Sequence, residues 1–230
     1  MATRGRAGEV VRFELTQRVA HWANAALFTA LIVTALPLYF GSLFGLVLER
    51  HVVEMVHLWC GLALPVPVVV SLLGPWGAAM RADLARVSRW THAELEWLRR
   101  LGRSALRADK FNPGQKLNAV VVGAASLVLL ATGAMLQWFS PFPVAWRAGA
   151  TDVHDLFAFA ITLLIVGHVA LALAHPAALA SMVRGRVSRA WARRVAPAWA
   201  DELGLREPTG ATDRVDPTTG RADPEPVAST

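Results

Sequence analysis

Residues 156–183 read LFAFAITLLIVGHVALALAHPAALASMV and contain no Asp, Glu, Lys or Arg. A helix needs about 20 apolar residues to cross about 30 Å of hydrocarbon, and this stretch exceeds that length. Three similar stretches lie upstream. No acidic or basic side chain falls between Arg18 and Glu49, between Glu54 and Arg81, or between Lys116 and Arg147. Each is mostly Leu, Val, Ala, Ile and Phe. These runs predict an all-α fold, an integral membrane four-helix bundle, with spans near 20–40, 53–74, 117–138 and 152–175. Four charge-free runs of this length argue against a soluble protein with buried helices.

Composition agrees. The chain has 230 residues, 54% hydrophobic and 17% charged, with a mean hydropathy of +0.40. An average soluble domain carries about 25% charged residues. A disordered chain, a disulfide-stapled secreted mini-domain and an ordinary soluble enzyme are excluded. The single cysteine, Cys60, cannot form an internal disulfide, a thiolate zinc site or a Cys-ligated iron–sulfur cluster. No Cys-x-x-Cys-His occurs, which excludes covalent c-type haem. The first span is too long for a cleavable signal peptide, and no small-x-small cleavage site follows it.

Lys and Arg set the orientation. Four arginines precede the first span, Arg50 alone lies between the first and second, nine basic residues run from Arg81 to Lys116, Arg147 alone separates the third and fourth, and eight follow the last. Both termini and the long middle loop are therefore expected in the cytoplasm. The formal charge of +6 reports topology, so no nucleic-acid partner is expected.

Within the middle loop, Leu84, Val87, Trp90, Leu95, Leu98 and Leu101 recur near helical spacing, with arginines between them. That pattern predicts a cytoplasmic amphipathic helix at the membrane interface or a solvated charged one. Residues 184–200, with Trp191 and Trp199, predict a second. The four-span domain covers residues 1–203, and the Pro-, Thr- and Asp-rich stretch 204–230 reads as a disordered cytoplasmic tail.

Ionisable residues inside spans are costly and usually functional. His51 and His92 belong to loops. His21, near the start of an outward span, lies towards the cytoplasm. His57 and His154, near the starts of inward spans, lie towards the outside. His168 follows His154 by 14 residues, which is about 21 Å along a helix and within about 40° of the same face. The histidines sort into an outer pair, His57 with His154, and an inner pair, His21 with His168. A lone membrane histidine often only bonds a neighbouring helix. Two pairs at two depths suit two bis-histidine b haems, because haem iron takes axial nitrogens from opposite sides. Ala25, Gly61, Ala158 and Ala172 each follow one of these histidines by four residues and leave room on its face. His175, one heptad beyond His168, is the rival for the inner site, but it precedes Pro176 at the span's end. A zinc or copper site lacks a second ligand nearby in sequence.

At these residues the chain resembles the cytochrome b (gamma) subunit of respiratory formate dehydrogenases, within the wider group of four-helix dihaem cytochromes b561 and hydrogenase-type membrane subunits. The matching stretches are RVAHW at 18–22, MVHLWCG around His57, KFNPGQK at 110–116, His154 and His168 at their spacing, and SMVRGRVSRAWARRVAPAW at 181–199. The resemblance covers about residues 10–203. It implies an outer haem on His57 and His154, an inner haem on His21 and His168, and a quinone site (menaquinone or ubiquinone) at Asn112, Gly114 and His168, with Gln115 adjacent. A quinone carbonyl needs a hydrogen-bond donor, which the Asn112 amide or a backbone N–H beside Gly114 offers. Without the family, NPG reads as a turn before a helix.

Three features depart from the family pattern. Pro113 stands where Ala is expected, Asp152 and Asp155 flank His154, and His175 has no counterpart. The implied role is an electron-transfer subunit of the bacterial inner membrane. Electrons would come from an iron–sulfur subunit of a molybdenum or tungsten formate dehydrogenase and reach a quinone near the cytoplasmic face. The chain carries no molybdenum, tungsten or iron–sulfur motif of its own, so formate oxidation needs those partners. Arg18 and Lys116 are the cations expected near the haem carboxylates. The alternatives are service to a hydrogenase or thiosulfate reductase, a stand-alone cytochrome b561-like quinone reductase, and a haem-free transporter or scaffold.

Overall fold

The computed structural model describes residues 8–41 and 49–205. A short strand β1 (Glu9–Val11) leads into α1 (Leu15–Tyr39), followed by α2 (Arg50–Ala63) and α3 (Val66–Leu72). A 3-10 turn at Pro75–Gly77 precedes α4 (Ala78–Ser88) and α5 (His92–Arg99). The long helices α6 (Pro113–Gln137) and α7 (Val144–Ala174) come next. The chain closes with α8 (Pro176–Arg184), β2 (Arg186–Ser188), α9 (Arg189–Val195) and α10 (Pro197–Glu202). Four segments are long and apolar enough to cross a membrane: Leu15–Tyr39, Arg50–Leu72, Pro113–Gln137 and Val144–Ala174. The fold is an all-α membrane bundle.

The boundaries differ from the sequence expectation for local reasons. The second span is broken at Leu64–Pro65, because Pro65 has no N–H to continue the ladder of α2. The fourth helix starts at Val144, before Asp152. Charge excludes Arg147, Asp152 and Asp155 from hydrocarbon but not from a helix. At 31 residues α7 is about 46 Å long, more than the roughly 30 Å it must cross. Helix α1 packs along α2 and α6 along α7, forming two hairpins, and backbone contacts between the hairpins are sparse.

The expected middle amphipathic helix is two helices. Thr91 caps α5: its hydroxyl accepts from the Glu94 N–H at 3.3 Å, and the Glu94 carboxylate accepts from the Thr91 N–H at 2.9 Å. The apolar periodicity thus runs across a chain break, and Leu84 and Leu101 are both exposed. The 184–200 segment is not one helix either. Val187, Ala192, Ala196, Trp199 and Ala200 pack into a small buried cluster of their own, with Leu205 against it. The expected tail, from residue 206 on, lies outside the described residues.

Strand β1 pairs antiparallel with β2, Glu9 opposite Ser188 and Val11 opposite Arg186. Gly185 caps α8 in the left-handed conformation (φ +79°), and its carbonyl accepts from the N–H groups of Arg12 and Phe13 at 2.8 and 3.1 Å. A Cβ at 185 would stand 2.6 Å from the Phe13 carbonyl oxygen. Gly185→Ala is therefore expected to cost more than the about 1–2 kcal/mol of left-handed backbone alone, read as a lowered Tm of the purified protein.

Beside these strands lies a buried polar layer. Lys110 Nζ donates to both Asp83 oxygens at 2.6 Å, and the Gln17 amide donates to Asp83 Oδ2 at 2.5 Å. Arg12 donates to Ser181 Oγ at 3.2 Å and to the Lys110 carbonyl at 3.1 Å. Burial pulls the Arg12 guanidinium down to about 10. Lys116 Nζ donates to Glu94 Oε1 at 2.6 Å and to the Arg89 carbonyl at 3.0 Å. This layer ties the starts of α1 and α6 to α4, α5 and α8.

Candidate functional site

Helix α7 carries His154, Ile161 and His168 one heptad apart, so all three share a face. Ile161 is buried between the two levels. Across the gap between hairpins, the His154 ring faces His57 of α2 with ring centres 6.5 Å apart and planes at 60°. The His168 ring faces His21 of α1 at 6.2 Å and 58°. The structure brings together both pairs that depth reasoning predicted.

The separations have a chemical meaning. A metal–imidazole nitrogen bond is about 2 Å, and the ring centre lies about 1 Å behind that nitrogen, so two imidazoles on opposite sides of one metal have centres about 6 Å apart. An edge-to-face ring contact spans the same range, so it is the recurrence of the pairing at two levels of one helix that points to a shared ligand. Among the described residues, no cluster of three or more His, Cys, Asp or Glu is placed to hold a metal. The donor set is therefore pairs of imidazoles, which suits a group that brings its own four equatorial ligands.

The outer rings are anchored. His57 Nδ1 lies 2.8 Å from Thr34 Oγ1 of α1, and His154 Nδ1 lies 2.9 Å from Thr132 Oγ1 of α6. Each threonine comes from the other helix of the same hairpin. Gly133 adjoins His154: a Cβ there would sit 3.3 Å from His154 Cε1. Sequence reasoning missed these residues. The available signal was depth, since Thr34 and Thr132 lie near the ends of their helices level with the outer histidines. Gly61, by contrast, faces Leu31 of α1 and serves helix packing.

The remaining predicted residues fall as follows. His175 is exposed and its Nδ1 lies 2.8 Å from the Leu171 carbonyl, so it closes the end of its own helix. His51, His92, Asp152 and Asp155 are exposed. Asn112 and Gln115 form a reciprocal cap on α6: Asn112 Oδ1 accepts from the Gln115 N–H at 2.9 Å, and Gln115 Oε1 accepts from the Asn112 N–H at 3.1 Å. Both side-chain oxygens are used and both amide NH₂ groups remain as donors. Pro113 occupies the first helical position, where it needs no N–H partner. Gly114 is pressed on Asn112, because a Cβ would stand 3.3 Å from Oδ1.

Of the two cations expected near the haem carboxylates, Lys116 is buried and committed to Glu94, while Arg18 donates through one guanidinium nitrogen to the Val183 carbonyl. A cleft of about 860 Å³ opens beside the polar layer, lined by Arg86, Arg89, Arg107 and Glu202 among others. Neither the paired histidines nor the Asn112–Gln115 cap lines it.

Comparison with known proteins adds the following. The family profile described as prokaryotic cytochrome b561 matches residues 12–185. The chain is 24% identical over 208 residues to the formate dehydrogenase cytochrome b556(fdo) subunit of Escherichia coli K12, covering 84% of this chain and 93% of that protein. It is 23% identical over 201 residues to the formate dehydrogenase cytochrome b556 subunit of Haemophilus influenzae, with coverage of 84% and 83%. The nitrate-inducible cytochrome b556(Fdn) subunit of Escherichia coli K12 is 22% identical over 206 residues, with coverage of 86% and 93%.

Proposed function

The chain belongs to the prokaryotic cytochrome b561 family, and from that premise we propose that it is the membrane cytochrome b subunit of a formate dehydrogenase complex. Family membership implies haem b. The finer reading is that two b haems relay single electrons from an iron–sulfur partner on the outer side to a quinone near the cytoplasmic face. The observation that carries it is the pair of facing imidazole couples, 6.5 and 6.2 Å between ring centres, reached by one helix at two levels.

In this reading His57 and His154 present nitrogens to the outer iron, and His21 and His168 to the inner. The Asn112 and Gln115 amide groups, left free by their reciprocal cap, donate hydrogen bonds to a quinone carbonyl. Their exposure at the start of α6 gives water a route to supply protons. The Lys and Arg bias places that edge in the cytoplasm of a bacterial inner-membrane protein. The resemblance to formate dehydrogenase subunits over 84–86% of this chain supports iron–sulfur and molybdenum or tungsten partners over a hydrogenase.

The test is a dithionite-reduced minus oxidised spectrum of the purified chain with a pyridine haemochrome count. Two b haems per chain are expected, and well-folded colourless protein overturns the reading. Purification from native membranes is expected to bring formate-oxidising activity with it. Hydrogen-oxidising activity in its place assigns the chain to a different complex.

A further inference from the structure

Resting on that reading, we infer that Thr34 and Thr132 are positioning residues that fix the proton on Nδ1 of both outer histidines and lower the reduction potential of the outer haem. The hydroxyls settle the direction of the hydrogen bonds. Thr34 Oγ1 donates its one hydrogen to the Ala30 carbonyl at 2.7 Å, and Thr132 Oγ1 donates to the Val128 carbonyl at 2.8 Å. What each oxygen turns towards the histidine is a lone pair, so the imidazole N–H donates and the threonine accepts. With Nδ1 protonated, the unshared pair sits on Nε2, the nitrogen left for iron.

A hydrogen bond accepted from the far nitrogen makes an imidazole a stronger donor to its metal, and an apolar surrounding strengthens that bond. A more electron-rich imidazole pair would stabilise oxidised iron held between His57 and His154, which would lower its potential. The effect is doubled at the outer level, because both ligands have such a partner. Among the described residues, neither His21 nor His168 hydrogen-bonds through a ring nitrogen. The chain therefore treats its two levels differently, and the sense of the difference favours electrons moving from outer to inner.

The experiment is a redox titration of the holoprotein, followed in the visible spectrum, for the wild type and for Thr34→Val, Thr132→Val and the two serine variants. Each valine variant is expected to raise one of the two midpoint potentials and leave the other in place. Such partners are worth about tenfold or more in metal affinity; if tenfold of that falls on the oxidised form alone, the shift is about 59 mV for a one-electron couple. Serine keeps the hydroxyl and is expected to keep the wild-type potential. A valine variant that loses one haem while its serine counterpart keeps both also supports the role. Unchanged potentials with two haems bound overturn this inference and leave the proposed function standing, as does a serine variant that behaves like valine. Absence of haem from the wild type overturns both.

Discussion

His168→Ala and His57→Ala are each expected to leave one b haem per chain, and the two remaining haems are expected to differ. In the proposed arrangement each haem would be held by two imidazoles, and replacing one of them by a methyl group would remove half of that attachment. Among the described residues, no other histidine ring faces either pair. His175 is one heptad from His168, but it lies beyond the helix end and is bonded to Leu171. The haemochrome count is expected to fall by about half in both variants. In the intact complex the consequences are opposite. His168→Ala leaves the outer haem reducible by formate while quinone reduction is abolished. His57→Ala leaves an inner haem that quinol reduces and formate does not. A variant of either kind that retains two haems, or both variants losing the same one, contradicts the paired assignment.

Asp83→Ala is expected to be the most destabilising single change outside the histidines, by about 3–5 kcal/mol. Burial pushes the Asp83 carboxyl up and the Lys110 amine down, and the mutual attraction of the pair opposes both shifts. Each charge is tolerable in that layer only because the other is present. Alanine at 83 leaves Lys110 buried beside the Arg12 cation, and it strands the Gln17 amide at the start of α1. Thermal unfolding followed by light scattering or haem release is the measurement. Asp83→Leu combined with Lys110→Met removes both charges together and is expected to recover most of the loss, since an apolar pair of similar volume carries no desolvation cost. A double variant as unstable as the single one would show that the pair acts through geometry and not through charge.

The four spans were legible in the sequence because the bilayer is an unforgiving solvent. One Asp or Lys between residues 156 and 183 would have obscured the last of them. Counting residues along those spans also assigned depth, and depth alone matched His57 with His154 and His21 with His168. The polar layer was not legible by the same logic. Lys110 and Lys116 sit in a stretch rich in arginine, where exposure is the default, and nothing local distinguishes a lysine that will be buried against a carboxylate 27 or 22 residues earlier in the chain. Lys116 was accordingly assigned to a haem carboxylate, when Glu94 holds it. Thr91 shows a different failure. Apolar spacing suggested a helix running through it, but the Thr91–Glu94 cap is itself a sequence signal and ends that periodicity. Thr34 and Thr132 were passed over because a threonine in an apolar helix ordinarily satisfies itself on the preceding turn. Both do so, and each still has a lone pair to give.

During synthesis, the strand Glu9–Val11 emerges long before its partner Arg186–Ser188 exists. It waits unpaired on one side of the membrane while every span is translated and inserted. Contacts between such distant segments close late, because the entropy of the intervening loop must be overcome first. Pairing Glu9 with Ser188 and laying Arg12 and Phe13 on Gly185 are thus expected to be among the last contacts to close. Before then the hydrogen bonds of Asp83 with Gln17 and Lys110 already hold the start of α1 to the start of α6.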